Sequence, residues 1–185
     1  MNSKDRKNPF VYSGRNTSQI SFPLGGIGSG SIGLAGNGRL VDWEIFNKPD
    51  KGSANHCSHF AIKLEDAKRV IGARILNSDL QPPYTGSPAR SDYSGFGFGP
   101  GRDTLGGMPH FPGGTFRGEF PFARIAFKDP AFPCAVRMTA FNPFIPLNDK
   151  DSSIPAAFFE FEVANTRRAA VTCTIAAVLG NPLPA

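Results

Sequence analysis

Several kinds of protein are excluded by what this chain lacks. It has three cysteines, Cys57, Cys134 and Cys173, an odd number at wide spacing. They make neither a disulfide framework nor a zinc-finger spacing. There is no apolar N-terminal h-region and no run long enough to span a bilayer. The expectation is therefore a soluble, cytoplasmic protein in a reducing compartment, with the sequon Asn16-Thr17-Ser18 unused. No segment has a convincing amphipathic helical period, and there are no repeats or low-complexity tracts. The net charge is only +5, with Lys4, Arg6, Lys7 and Arg15 gathered near the start. No basic stretch interleaved with aromatics is present, so nucleic acid is not an expected partner. Residues 1–18 read as a flexible, solvated arm.

Glycine, proline and phenylalanine are abundant: 21, 17 and 17 of 185 residues. Phe-rich segments punctuated by Gly and Pro point to an all-β antiparallel sandwich over residues 19–185, a length sufficient for one domain with a core. Its long Gly/Pro-rich loops are part of that expectation. Short strands are expected over 19–24 and 31–34, with Asn37-Gly38 as a hairpin turn. Over 40–46, Val41, Trp43 and Ile45 alternate with Asp42 and Glu44, the pattern of a half-buried strand. Residues 60–64 and 70–76 form an expected hairpin around Glu65–Lys68. Further strands are expected over 122–127, 134–141, 156–163 and 170–179, with 142–155 as a loop. Between Asn77 and Thr115, 15 of 39 residues are Gly or Pro, and no period survives. A loop that long is functional, disordered or docked on another surface. Its aromatics, Tyr84, Tyr93, Phe96, Phe98 and Phe111, argue against simple solvated disorder.

The most unusual stretch is Ile20 to Leu34, which carries Gly25, Gly26, Gly28, Gly30 and Gly33. Glycine weakens a strand, so this density implies a sharp bend or a close approach by another backbone or a ligand. Gly28-Ser-Gly30-Ser-Ile-Gly33 fits the dinucleotide fingerprint G-x-G-x-x-G. That reading needs a following helix and an acidic residue about 20 positions on. Gly36 and Gly38 would break the helix, and Asp42 comes too early. No G-K-[ST] follows, which excludes a P-loop. Gly25, Gly26, Gly28, Ser29 and Gly30 are instead the candidate interface loop, expected to lie against a partner surface.

The remaining polar clusters have plain explanations. Asp42 and Glu44 lie about 7 Å apart along one strand. Retaining glycosidases need opposed carboxyls about 5–5.5 Å apart across the scissile bond. A solvent-facing or interface role is expected for the pair, and core packing for Trp43. His56-Cys57-Ser-His59 has ligand-type residues but too few for zinc. Glu160 and Glu162 read as the outward face of a strand, and Asp149, Asp151, Ser152 and Ser153 as turn and capping groups. No catalytic residue, metal site or cofactor is expected.

Phe22-Pro-Leu-Gly-Gly-Ile-Gly-Ser-Gly-Ser-Ile-Gly33 resembles the opening of the N-terminal domain of glycoside hydrolase family 116. That family includes bacterial β-glucosidases and the non-lysosomal glucosylceramidase. Four further segments are similar, in the same order: Asp42-Trp-Glu-Ile-Phe-Asn-Lys-Pro49, Gly118-Glu-Phe-Pro-Phe-Ala123, Phe141-Asn-Pro-Phe-Ile-Pro-Leu147 and Asp151-Ser-Ser-Ile-Pro155. The stretch from Phe161 to Thr166 is similar too, and the similarity runs from about Ile20 to Asn181. The resemblance implies a β-sandwich that precedes a catalytic (α/α) barrel carrying the nucleophile Glu and the acid/base Asp. No residue of this chain matches either. The expected partner is that barrel, and a β-linked glucoside or glycolipid is met only through it. The resemblance also implies that the sandwich is incomplete at its C-terminal end. A free-standing carbohydrate-binding or structural sandwich is the alternative, with the loop aromatics as the candidate sugar platform.

Overall fold

The computed structural model describes residues 8–82 and 100–183. Eleven strands are present in this part: β1 (Val11–Ser13), β2 (Ser21–Leu24), β3 (Ser31–Ala35), β4 (Leu40–Glu44), β5 (His59–Glu65), β6 (Val70–Ile75), β7 (Gly113–Glu119), β8 (Phe122–Lys128), β9 (Cys134–Phe141), β10 (Phe158–Asn165) and β11 (Thr172–Val178). They form a five-stranded sheet in the order β1-β7-β8-β9-β10 and two three-stranded sheets, β11-β5-β6 and β2-β3-β4. All strand pairs are antiparallel. The result is an antiparallel β-sandwich, as the composition suggested. Phe22 of β2 meets Phe116 of β7, and Phe60 of β5 meets Phe159 and Phe161 of β10, so both small sheets face the large one.

The centre of the large sheet shows why these residues make strands. In β8, Ala123, Ile125 and Phe127 are buried; in β9, Cys134, Val136, Met138 and Ala140 are. Period-2 alternation puts one apolar set inward. A one-residue slip would turn Arg124 and Arg137 into the core, which fixes the register. The β5–β6 hairpin is closed by Asp66, whose carboxylate accepts the backbone N–H groups of Lys68 and Arg69. At the far end of β6, the guanidinium of Arg74 donates twice to Asp129, from Nε at 3.2 Å and Nη2 at 3.0 Å.

Four features differ from the sequence expectation. The expected arm is structured from residue 8 onward in the described part. Val11–Ser13 pair with β7, Tyr12 packs on Phe116 at 6.4 Å, and Thr17 is buried in a 3-10 turn spanning Gly14–Thr17. A three-residue strand docked on an existing edge needs little local signal, because the sheet supplies the hydrogen bonds. The second difference is in β4. Asp42 has φ +51°, and the pairing shifts between Ser31↔Glu44 and Gly33↔Val41. This bulge reverses the phase, so Leu40 faces the core together with Trp43 and Ile45, while Val41 turns outward. Trp43 is a core residue, as expected, but its Nε1–H has no hydrogen-bond partner among the described residues.

The third difference is in the Gly/Pro region. Phe111 is 1% exposed, wedged between Phe127 and Phe132 at ring distances of 5.0 and 5.1 Å. Its N–H donates to Asn77 O, and it bridges to Ser78. The flanks of the region therefore dock on the chain's own sandwich. Tyr84, Tyr93, Phe96 and Phe98 lie outside the described residues. Fourth, the 142–155 loop contains one helical turn, α1 (Asp149–Ser152), capped by the Asn148 side chain.

Candidate interface at the glycine loop

The turn between β2 and β3 is held to the β9–β10 connection. Asn142 joins the two: its Oδ1 accepts from Gly25 N at 2.7 Å, and its Nδ2 donates to Pro23 O at 2.9 Å. Next, Ile27 N donates to Ser152 O at 2.8 Å. Gly26 lies flat on the backbone of Ser153 and Ile154, where a Cβ would overlap both carbonyls. Gly30 packs on the backbone of Glu44 and Ile45 in the same way. Gly25 and Gly30 also close on each other. These three glycines are thus required by approaches within the chain. Gly28 is different. It has φ +72° and nothing within 4 Å of a Cβ position, so its requirement is conformational.

The tip of the loop points outward, and apolar side chains surround it. Ile27 is 57% exposed, and its N–H bonds the 142–155 segment that carries Ile154, Ile145 and Phe144, all exposed. Phe144 meets Phe120, also 57% exposed, ring to ring at 5.2 Å, and Phe120 reaches Phe22 at 6.5 Å. Leu147 is fully in solvent, at 108% of its reference area, with φ +67°. A left-handed backbone is uncommon for such a residue. It is held there by the turn Asn148 N→Ile145 O and by Ser152, whose hydroxyl accepts from Ile145 N and donates to Ile145 O. At ~200 Å² for a large side chain, this end exposes on the order of 600 Å² of apolar surface. That is the upper end of the largest apolar patch on a typical monomer, about 300–600 Å², and such patches are often functional.

Beside the loop, the carboxylates of β4 are engaged in local structure. Asp42 accepts from Ser21 Oγ at 2.5 Å and from Gly52 N at 2.6 Å. Lys51 Nζ stands 2.7 Å from Glu44 and 3.9 Å from Asp42. Partial burial disfavours the Asp42 charge. The hydrogen bonds from Ser21 and Gly52 and the charge of Lys51 outweigh it, so the carboxyl titrates below its ordinary range. Both groups serve to fold the 47–53 segment back on β4, where Ser53 O accepts from Asp42 N and Ser53 Oγ from Trp43 N. A lowered pKa in a lysine-bridged pair suits a permanent anion, not a proton donor.

The other clusters are also local. His59 Nδ1 faces Cys57 O at 2.6 Å, and no group of three or more His, Cys, Asp or Glu residues that could hold a metal occurs among the described residues. Asp151 takes part in a local cap, its N–H donating to Asn148 Oδ1 and its carboxylate accepting from Asn148 Nδ2. Glu162 pairs with Arg137 across the strands on the outer face. That face also carries an aromatic row that sequence reasoning missed: Phe122, Phe141 and Phe158 are direct cross-strand partners. Phe141 and Phe158 stack at 5.1 Å, and the Arg124 guanidinium lies 5.0 Å above Phe122. Spacing alone could have suggested it, once the β8-β9-β10 register was known. No helix among the described residues is long and apolar enough to cross a membrane.

The fold defines an antiparallel β-sandwich domain with a loop-built apolar end. A family model described as beta-glucosidase 2, glycosyl-hydrolase family 116 N-term, matches residues 21–184. The chain belongs to that family as its N-terminal domain. No curated protein matches it.

Proposed function

We propose that this chain is a non-catalytic domain that supports a catalytic (α/α) barrel hydrolysing β-glucosides, and that it meets the barrel through the apolar end around the glycine loop. The observation that carries this reading is the set of exposed apolar side chains Ile27, Ile154, Ile145, Phe144 and Phe120 on the glycine loop and the segments bonded or packed to it, with Leu147 held out into solvent. Removing such surface from water stabilises by about 25 cal/mol per Å², so covering it favours association. The chain's own chemistry agrees with a supporting role, since its paired carboxylates are committed to Lys51, Ser21 and Gly52. A sugar-binding platform on the outer face is disfavoured. Phe141 and Phe158 cover each other's ring faces, and Arg124 covers Phe122.

Two measurements test the reading. The purified chain should turn over no aryl β-glucoside. Turnover that disappears with Asp42→Asn or Glu44→Gln would overturn it. Binding to a family 116 barrel should be lost in Leu147→Asp and in Ile27→Asp, with melting of the free chain unchanged. Both positions are exposed, so unaltered binding in both variants would place the contact elsewhere.

A further inference from the structure

A groove of about 350 Å³ runs along the outer face of the β2-β3-β4 sheet, away from the apolar end. Ala35 and Val41 are part of its lining, beside Gly33, whose missing side chain leaves room for Ser21 and Val41. The volume is at the small end of ligand pockets, which span roughly 300–1,000 Å³. Arg39 lines it with a side chain only 19% exposed. Among the described residues the guanidinium makes no hydrogen bond, and its nearest carboxylate, Asp103, is 3.9 Å away. The guanidinium nitrogens keep some contact with solvent and have no acceptor at hydrogen-bond distance among the described residues, so a ligand in the groove can supply one. Burial disfavours the Arg39 charge more than Asp103 supports it.

The rim supplies the complementary groups. Asp79 uses one carboxylate oxygen towards His110 Nε2, at 3.0 Å, and leaves the other without a bond among the described residues. The side-chain amide of Gln19 is unengaged there, and that of Gln81 makes only a 3.5 Å contact. The open groups are therefore both donors and acceptors. The fixed charges argue against an anion: Asp42 and Asp79 line the groove against Arg39 alone, and Asp103, 3.9 Å from Arg39, offsets Lys51, 3.9 Å from Asp42. We infer that this groove binds a neutral polyhydroxylated ligand the size of one sugar ring, its hydroxyls accepting from Arg39 and donating to Asp79. This assignment stands apart from the barrel-docking reading, because the groove and the apolar end are made by different residues.

The test is a titration of isotopically labelled chain followed by amide NMR shifts. Probes are D-glucose and cellobiose, with inorganic phosphate as the anionic control. Saturable shifts at the amides of Gln19, Ala35 and Arg39 with sugar, and not with phosphate, are the expected result. Arg39→Met should weaken binding roughly tenfold, the equivalent of one lost charged hydrogen bond. Ala35→Leu, which fills the groove, should abolish it, and Gln19→Ala on the exposed rim supplies the same comparison should either variant fail to fold. No shifts with either sugar, shifts that map outside the groove, or shifts produced by phosphate alone would overturn the assignment. None of these outcomes bears on Leu147→Asp and barrel binding.

Discussion

Replacing Gly26 by alanine tests whether the glycine loop is built by internal close approach. The backbone of Gly26 is not in the left-handed region, so alanine meets no conformational penalty there. Its Cβ would lie 2.5 Å from the Ser153 carbonyl carbon and 2.7 Å from the Ser153 oxygen, and closer still to Ile154 O. These are backbone atoms, which cannot swing aside as a side-chain tip would. Relief requires the 152–154 segment or the loop to move. Overpacking of this kind costs about 1–3 kcal/mol. The movement also strains Ile27 N→Ser152 O at 2.8 Å and Gly25 N→Asn142 Oδ1 at 2.7 Å. Each contributes about 1 kcal/mol net. Together the expected loss is about 2–4 kcal/mol, against a total stability of roughly 5–15. For a chain of this size that lowers Tm by about 5–15 °C. Gly28 is the internal control. Its Cβ position is open and only φ +72° matters, so Gly28→Asn, which tolerates that region, should cost under about 1 kcal/mol. Urea unfolding of the two variants beside the parent chain decides it. A Gly26→Ala variant within about 1 kcal/mol of the parent, or a Gly28→Asn variant equally damaged, would refute the close-approach account.

Two further outcomes follow from the same structure. The Asp42 carboxyl is held below its ordinary range, so the native state binds fewer protons than the unfolded chain there; its stabilisation is present at neutral pH and is lost as pH falls from the ordinary carboxylate range through the native value. Asp42→Asn should therefore be less stable than the parent at pH 7, with the gap closing in acid, as read from urea midpoints at several pH values; a gap independent of pH would be contrary to this assignment. β11 carries no charge from Thr172 to Val178 and, among the described residues, pairs on one side only, with β5, so the chain should self-associate with rising concentration. Thr172→Lys should reduce that association in light scattering, and a parent chain that stays monodisperse would show that the edge is protected.

What could be read in advance depended on whether the signal was local. β8 and β9 alternate cleanly, and each inward side chain is the one the alternation names. The Asp66 turn is likewise settled within three residues. β4 shows how the same evidence misleads. Val41, Trp43 and Ile45 alternate perfectly, yet the bulge at Asp42 puts Val41 outside and Leu40 inside. A bulge in a non-glycine residue leaves no mark on the alternation. It is stabilised by Ser21 and Gly52, which lie outside the strand.

The glycine loop carries the point furthest. Its composition announced a close approach, and one exists at Gly25, Gly26 and Gly30. The surfaces approached are Ser153, Ile154 and the β4 backbone, and nothing in residues 20–34 distinguishes these from a partner's backbone. Glycine encodes that something is near, not what it is. Under the proposed docking to a barrel, the partner-facing role falls to the residues that the internal contacts leave over. Gly28 is open, Ile27 is turned to solvent, and Leu147 is held in a left-handed conformation by a hydroxyl on α1 that bonds Ile145. A chain that only needed a turn there could bury these side chains or replace them with polar ones. Keeping them apolar and outward lowers solubility for no gain within the sandwich, which is the physical reason to look for the loop's partner beyond it.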